Sequence, residues 1–378
     1  MKRVLVLTIT AGQGHNSTAR AVCECLEKQG AQTRILDTGY YYSKLIGHTI
    51  EEGYILSVEN AKNLYRKIYR HLEHRRSSSL SPMRIANRMI WKKLRRYIDD
   101  YDPDVIVSTH IFPAMILDAM QRVNPLRART IGILTDFVFH PYWEESCRLD
   151  RVVVTGDMLV QLGRRKGYRT EQILPLGIPI SPKFAVRVPR DEARRQMGLD
   201  PDLPALLVMG GSMGYGKMAK TVQTLDLAQS EFQIAVVCGS NKEAKAAVDA
   251  LTTRKKLVSF GYTDKVDILM DACDAIVSKP GGLTSSEAMA KGLPMIIVNP
   301  IPGQEDRNAE YLLNFGAAMQ ANEMFTVDIL ADAMFGDTER MEAMKRAAAR
   351  LGKPNATRDL CDVILNMERR SEEPKIRK

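Results

Sequence analysis

The chain has 378 residues, with 54 Lys plus Arg against 45 Asp plus Glu, a formal charge of +9, and 45% hydrophobic residues. That balance excludes a disordered or fibrous chain, and the length exceeds one ordinary core, so two domains are expected. The surplus of positive charge favours an anionic partner. The six scattered cysteines fit a reducing compartment without a zinc or disulfide framework, and no apolar run nears the ~20 residues of a membrane span.

Residues 4–9 are predicted as a buried strand, 10–15 as a turn, 17–29 as a helix and 33–36 as a second strand. The loop fails the dinucleotide fingerprint, because Ser17 stands where the third glycine belongs. Gly14 is followed by His15. A histidine in a strand-to-helix loop sits where α/β folds bind ligands, and its ordinary pKa of about 6.5 suits a general base. The plainer alternative is a capping or surface histidine. No signal peptide is expected, since the first ten residues lack the length and cleavage site of one.

Residues 60–98 change character. Twelve cations lie between Lys62 and Arg96 against the single anion Glu73. Tyr65, Ile68, Tyr69, Trp91, Leu94 and Ile98 are interleaved, so two basic amphipathic helices are expected, broken at 77–82. Such a pair suits an anionic membrane surface, each cation contributing roughly 1 kcal/mol there. An ordinary solvated face with a core stripe is the alternative. No nucleic-acid motif is present, and no nucleic-acid partner is expected.

Further strands are expected at 104–108, 130–134, 151–155 and 173–176, with a helix at 157–166. The aromatic stretch 137–143 follows Asp136 at a strand end. There His140 and Trp143 either line an acceptor pocket or form a lid packed on the core. Residues 177–182 read as a linker.

The second half opens with a helix at 190–197 and a strand at 205–209. The loop after it, with Gly211, Ser212, Met213 and Gly214, nearly matches a P-loop, but Met218 replaces the hydroxyl that would bind Mg²⁺. It remains a glycine loop suited to a diphosphate. Strands at 234–238 and 257–260 follow, with Tyr262 placed to meet a base or a hexose. Residues 275–277 form a strand ending in Pro280-Gly281-Gly282. The 283–291 helix then begins, with Thr284, Ser285 or Ser286 as its cap. A helix start after glycines presents free N–H groups and a positive dipole end, an anion site. Glu287, about one turn in, suits a ribose diol. Gln304 and Glu305, at the start of a 304–314 helix, suit sugar hydroxyls. A helix cap and a surface loop would look the same locally. Helices at 339–351 and 356–368 end the chain.

Three stretches together carry a resemblance: GQGHNSTA at 12–19, TDFVFHPYW at 135–143, and SKPGGLTSSEA at 278–288 with PGQEDRNAEYL at 302–312. In this order they resemble the monogalactosyldiacylglycerol synthase and processive diacylglycerol glucosyltransferase family, glycosyltransferase family 28. The peptidoglycan GlcNAc-transferase shares the second half more loosely.

The resemblance implies an α/β fold of the GT-B kind: two Rossmann-like domains with parallel sheets facing across a cleft. Residues 1–178 would be the acceptor and membrane-binding domain, 183–354 the UDP-sugar domain, and 355–378 a helix packing back on the first domain, with a polar tail. The activity implied is inverting transfer of a hexose, glucose first and galactose second, from a UDP-sugar to diacylglycerol. His15 would be the base, with Asp136 its rival or partner, and His140 and Trp143 would meet the acceptor. The donor would be held by Gly14, the 211–214 loop, Tyr262, Gly281, Gly282, Leu283, Thr284, Glu287, Gln304 and Glu305.

No cofactor or metal is expected. The two Asp-Pro-Asp strings, 102–104 and 200–202, precede strands and so lie away from the ligand end. The expected place is the cytoplasmic face of the cell membrane, as a peripheral protein. A transferase acting on a polyprenyl-linked acceptor, a UDP-GlcNAc 2-epimerase and a non-catalytic UDP-sugar sensor remain open alternatives.

Overall fold

The computed structural model describes residues 1–10, 13–42, 82–210 and 217–371, with helix backbone alone for 82–90. The chain divides into two units, Met1–Pro182 with Asn355–Lys378, and Lys183–Pro354. Each is built on a parallel sheet of six strands.

In the first unit the strands are β1 (Arg3–Thr8), β2 (Gln32–Asp37), β3 (Val105–Ser108), β4 (Arg129–Ile133), β5 (Arg151–Val153) and β6 (Ile173–Leu174). Their order is β2-β1-β3-β4-β5-β6. Alternate side chains point to opposite faces, so a strand covered on both sides reads as a continuous apolar run. In β1, Leu5 and Leu7 join Ile106, Ile116, Leu117 and Leu94 in one layer. Val4 and Val6 join Val22, Leu26, Leu360 and Ile364 in the other.

The Ala356–Asn366 helix therefore belongs to the first unit, packed beside the Gly14–Lys28 helix. Beyond it, Arg369 pairs with Asp102 and Asp104, and Arg370 with Asp150. The first Asp-Pro-Asp string thus anchors the end of the chain. In the second string, Asp200 accepts a hydrogen bond from the Asp202 N–H.

The second unit contains β7 (Ala205–Met209), β8 (Gln233–Val237), β9 (Leu257–Phe260), β10 (Ala275–Ser278), β11 (Met295–Ile297) and β12 (Ala318–Gln320), in the order β12-β11-β10-β7-β8-β9. In each sheet the order reverses direction at one point, between β1 and β3 and between β7 and β10. Open parallel sheets bind ligands past the strand ends at such points.

Some elements have no counterpart in the sequence pattern: β12 and the helices Ile111–Val123, Met218–Leu225, Lys242–Asp249 and Val327–Phe335. Ile111–Val123 is apolar almost all round, with Ala114, Ile116, Leu117 and Met120 fully buried, so it shows no stripe at helical spacing. Pro113 also reads as a breaker, although the first turn tolerates it.

The basic segment 60–98 falls mostly outside the described residues. Its described end lies in the Pro82–Tyr101 helix, where Leu94 and Ile98 are core residues and Lys93 donates to the Tyr41 carbonyl. Among the described residues no helix is long and apolar enough to cross a membrane. All six cysteines are free thiols.

Candidate functional site

His15 is the second residue of the Gly14–Lys28 helix and not the tip of the preceding loop. The helix opens at Gly14 rather than at Ser17, because the Ser17 N–H already donates to the Gln13 carbonyl at 2.9 Å. His15 Nδ1 lies 2.7 Å from the Thr109 carbonyl oxygen. A carbonyl can only accept, so Nδ1 carries the proton and Nε2 keeps its lone pair. Nε2 has no hydrogen-bond partner among the described residues. Burial holds the ring below its usual 6.5, against the Thr109 bond, which raises it. A neutral imidazole with an open Nε2 is equipped to take a proton.

The surrounding strand ends hold this geometry. Thr109 Oγ1 donates to Thr8 Oγ1, Thr8 Oγ1 to Asn16 Oδ1, and Asn16 Nδ2 to Thr10 Oγ1. Thr10 then donates twice to Asp37 at the end of β2. The chain of hydrogen bonds ties the ends of β1, β2 and β3 to the helix that carries His15.

His110 is a site residue to which the sequence reading assigns no role. It follows β3, and its ring lies edge-on to His15 with centroids 4.6 Å apart. His110 Nδ1 accepts from the Phe112 N–H at 3.1 Å and caps the Ile111–Val123 helix. Burial first, then His15 and His140, hold it well below the usual histidine range. The visible signal is a histidine directly after an apolar strand. That β3 lies beside β1 is not visible.

After β4, Thr135 Oγ1 approaches His15 Nδ1 at 3.2 Å, whereas no hydrogen bond joins Asp136 to His15. Asp136 is half-buried on the same loop. His140 Nδ1 accepts from the Tyr142 N–H and caps the 3-10 turn Pro141–Ser146.

Trp143 is only 4% exposed and packs into the core with Leu149 and Tyr168, as the reading of a lid packed on the core expects. Gly132 makes the room, since a Cβ there would lie 2.7 Å from the Trp143 ring and 2.9 Å from Leu149. Gly132→Ala should therefore cost about 1–3 kcal/mol through overpacking. Urea unfolding measures this, and an unshifted midpoint would mean that the indole relaxes freely.

In the second unit, Gly281 precedes the Gly282–Ala290 helix with φ −66° and ψ 140°, a conformation open to any residue. Among the described residues an added Cβ would meet only Glu305 Oε1, at 3.6 Å. The backbone angles at Gly281 do not call for a glycine. What it leaves is bare backbone at a helix start that has no side-chain cap. The expected caps are absent: Thr284, Ser285 and Ser286 lie inside the helix, because its hydrogen bonding already begins at Gly281 O. Ser285 Oγ is buried without a hydrogen-bond partner among the described residues. Gly282 is buried, while Leu283 and Thr284 are partly exposed in the first turn.

Glu287 keeps some contact with solvent but is closely surrounded. Burial, with Asp267 adding to it and Lys183 opposing, pushes its carboxyl up to about 8. Glu305 pairs with Lys279 at 2.8 Å and accepts from the Ile301 N–H at 2.8 Å. Asn308 donates to the Pro280 carbonyl at 3.0 Å. The start of the Gln304–Asn314 helix, with Gln304 at its first position, is thereby tied to the 279–281 turn. Glu305 is thus held by Lys279 and by backbone. Tyr262 is 77% exposed at the end of β9. Gly211, Ser212, Met213 and Gly214 lie outside the described residues.

Residues 15–180 match the monogalactosyldiacylglycerol (MGDG) synthase family model, and residues 205–360 match the glycosyltransferase family 28 C-terminal domain. The chain is 29% identical to a processive diacylglycerol beta-glucosyltransferase of Bacillus pumilus (strain SAFR-032), over 96% of this chain and 94% of that protein. It is 28% identical to the protein of the same name from Bacillus subtilis (strain 168), over 96% and 95%. Among solved structures it is similar to Acinetobacter baumannii MurG, with a TM-score of 0.66, 16% identity, and 97% and 100% of the two chains covered. The calicheamicin glycosyltransferase CalG4 matches with a TM-score of 0.63 at 13% identity, covering 97% and 98%. The fold is of the GT-B kind, with two Rossmann-like α/β units.

Proposed function

The chain belongs to the MGDG synthase and family 28 glycosyltransferases, and from that premise we propose that it transfers a hexose from a UDP-sugar to diacylglycerol. It is a hexosyltransferase, and glucose is the donor sugar favoured by the names of its relatives. The observation that carries the chemistry is His15, a neutral histidine with a fixed tautomer and an open Nε2 past the end of β1.

On this reading His15 Nε2 takes the proton of the acceptor hydroxyl as that oxygen attacks C1 of the sugar. The C1–O bond to UDP breaks with inversion, and UDP leaves with the electron pair. The bare N–H groups around Gly281, Gly282, Leu283 and Thr284 receive the diphosphate, where a helix N-terminus stabilises negative charge without calling for a metal ion. Glu287 takes the ribose, and Gln304 with Glu305 the hexose. Asp136 and His140 front the acceptor side. Residues 60–98 supply the cations that hold the protein on an anionic membrane at its inner face.

The test is UDP release from UDP-glucose, UDP-galactose and UDP-GlcNAc, each with and without diacylglycerol in anionic vesicles, with the lipid product identified. Diacylglycerol-dependent release with a glycosyl-lipid formed is expected. Binding of all three donors without release would overturn the reading in favour of a sensor. Release only with a polyprenyl-linked acceptor would reassign the acceptor.

A further inference from the structure

We infer that His15 and His110 act as one clamp for the acceptor hydroxyl, His15 Nε2 accepting its proton and His110 Nε2–H donating to its oxygen. The inference rests on the transferase reading and adds to it a second catalytic histidine.

His15 Nδ1–H donates to the Thr109 carbonyl, so its Nε2 is an acceptor. His110 has the opposite arrangement. Its Nδ1 accepts from the Phe112 N–H, so in the neutral ring the proton must be on Nε2. Burial keeps both rings neutral. Two backbone groups, a carbonyl after β3 and an N–H at the next helix start, thus set two neighbouring imidazoles in complementary states.

The rings stand edge-on with centroids 4.6 Å apart, and both are partly exposed past the ends of β1 and β3. One oxygen can lie within a hydrogen-bond reach of roughly 2.6–3.2 Å from a nitrogen of each ring. A hydroxyl is the group that satisfies an acceptor and a donor through one atom. With its proton on His15 and one lone pair on His110, its second lone pair is the one left to attack C1. The atoms balance: the O–H proton moves to His15, the C1–O bond to the acceptor forms, and the C1–O bond to UDP breaks. His110 keeps its own proton throughout.

His110 also caps a helix, so a loss of activity needs separating from a loss of structure. Asparagine is a good N-cap but too short to place a donor where Nε2 lies, whereas glutamine reaches that place and caps poorly. His110→Asn should keep thermal stability and donor KM while lowering kcat/KM for diacylglycerol about 10- to 100-fold, within the range of positioned proton-transfer groups. His110→Gln should recover most of that kcat/KM despite a lower Tm. An Asn variant with unchanged kcat/KM overturns the clamp, as does activity that follows Tm in both variants.

Long-range ¹H–¹⁵N spectra of the full chain read the tautomers independently of activity. The expected pattern is Nδ1–H on His15 and Nε2–H on His110. A doubly protonated or Nδ1–H His110 at pH 7 overturns the clamp alone. A wild type that shows both tautomers but makes no glycolipid overturns the transferase reading, and the acceptor role of the clamp with it.

Discussion

Replacing His15 with alanine is expected to lower turnover about 10²–10⁴-fold, the usual contribution of a positioned general base. UDP binding should hardly change, because the nucleotide-binding groups proposed in the second unit are untouched. The geometry makes the expectation specific. The Thr109 carbonyl fixes the Nδ1 proton, and the network from Thr8 through Asn16 to Asp37 holds the helix start.

The pH dependence has a definite sign. The base works unprotonated, so activity falls on the acid side as His15 takes a proton. Burial lowers its pKa from 6.5, so that limb lies below the ordinary histidine midpoint. Steady-state kinetics of H15A against wild type across pH 5–9 measures both. Unchanged turnover in H15A, or an acid limb above the ordinary midpoint, would remove His15 as the base.

Glu287→Ala is expected to weaken UDP-sugar binding about ten- to a hundredfold, because hydrogen bonds to a charged group contribute ~1.5–3 kcal/mol. Two ribose hydroxyls would both donate to the ionised carboxylate. In the free protein that carboxyl is pushed up to about 8 by burial, so at neutral pH donor binding must expel a proton. Donor affinity should therefore strengthen as pH rises toward 8 and flatten above it. Calorimetry in buffers of different ionisation enthalpy counts the released proton. No proton release at pH 7 would count against the ribose role.

The same shift has a consequence for stability, with the opposite sense to a salt-bridged acid. The unfolded chain ionises Glu287 near 4.5 and the folded chain near 8. Between those values the folded state holds a proton that the unfolded state has lost, so stability falls as pH rises. Glu287→Gln removes the titration, and its Tm advantage over wild type should grow from pH 4.5 to pH 8. A constant gap would mean that the carboxyl is not held protonated.

Local pattern made several parts of this molecule legible from sequence. The apolar runs at 205–209 and 257–260 coincide with β7 and β9, and the polar-to-apolar period at 304–314 coincides with the helix there. These signals are local, since side-chain periodicity and chain breakers lie within a few residues of one another. The order of the loops also pointed to the family, because each motif occupies one strand-to-helix turn. What stayed hidden was apolar on every side, as in the Ile111–Val123 helix, or depended on a neighbour distant in sequence.

The sequence by itself determined which residue types stand at the ends of β1, β3, β4 and β10: His15, His110, Asp136 with His140, and the Gly281–Gly282 pair. Only the tertiary structure decided tautomer, neighbours and burial. His15 becomes an acceptor at Nε2 because a carbonyl 94 residues away accepts from its Nδ1–H. His110 joins it because the strand order puts β3 beside β1. Trp143 leaves the candidate surface because Gly132, on the strand before it, opens a place in the core. A tautomer or a buried place is set by contacts that exist only once the sheet has formed, and the order of residues along the chain does not contain them.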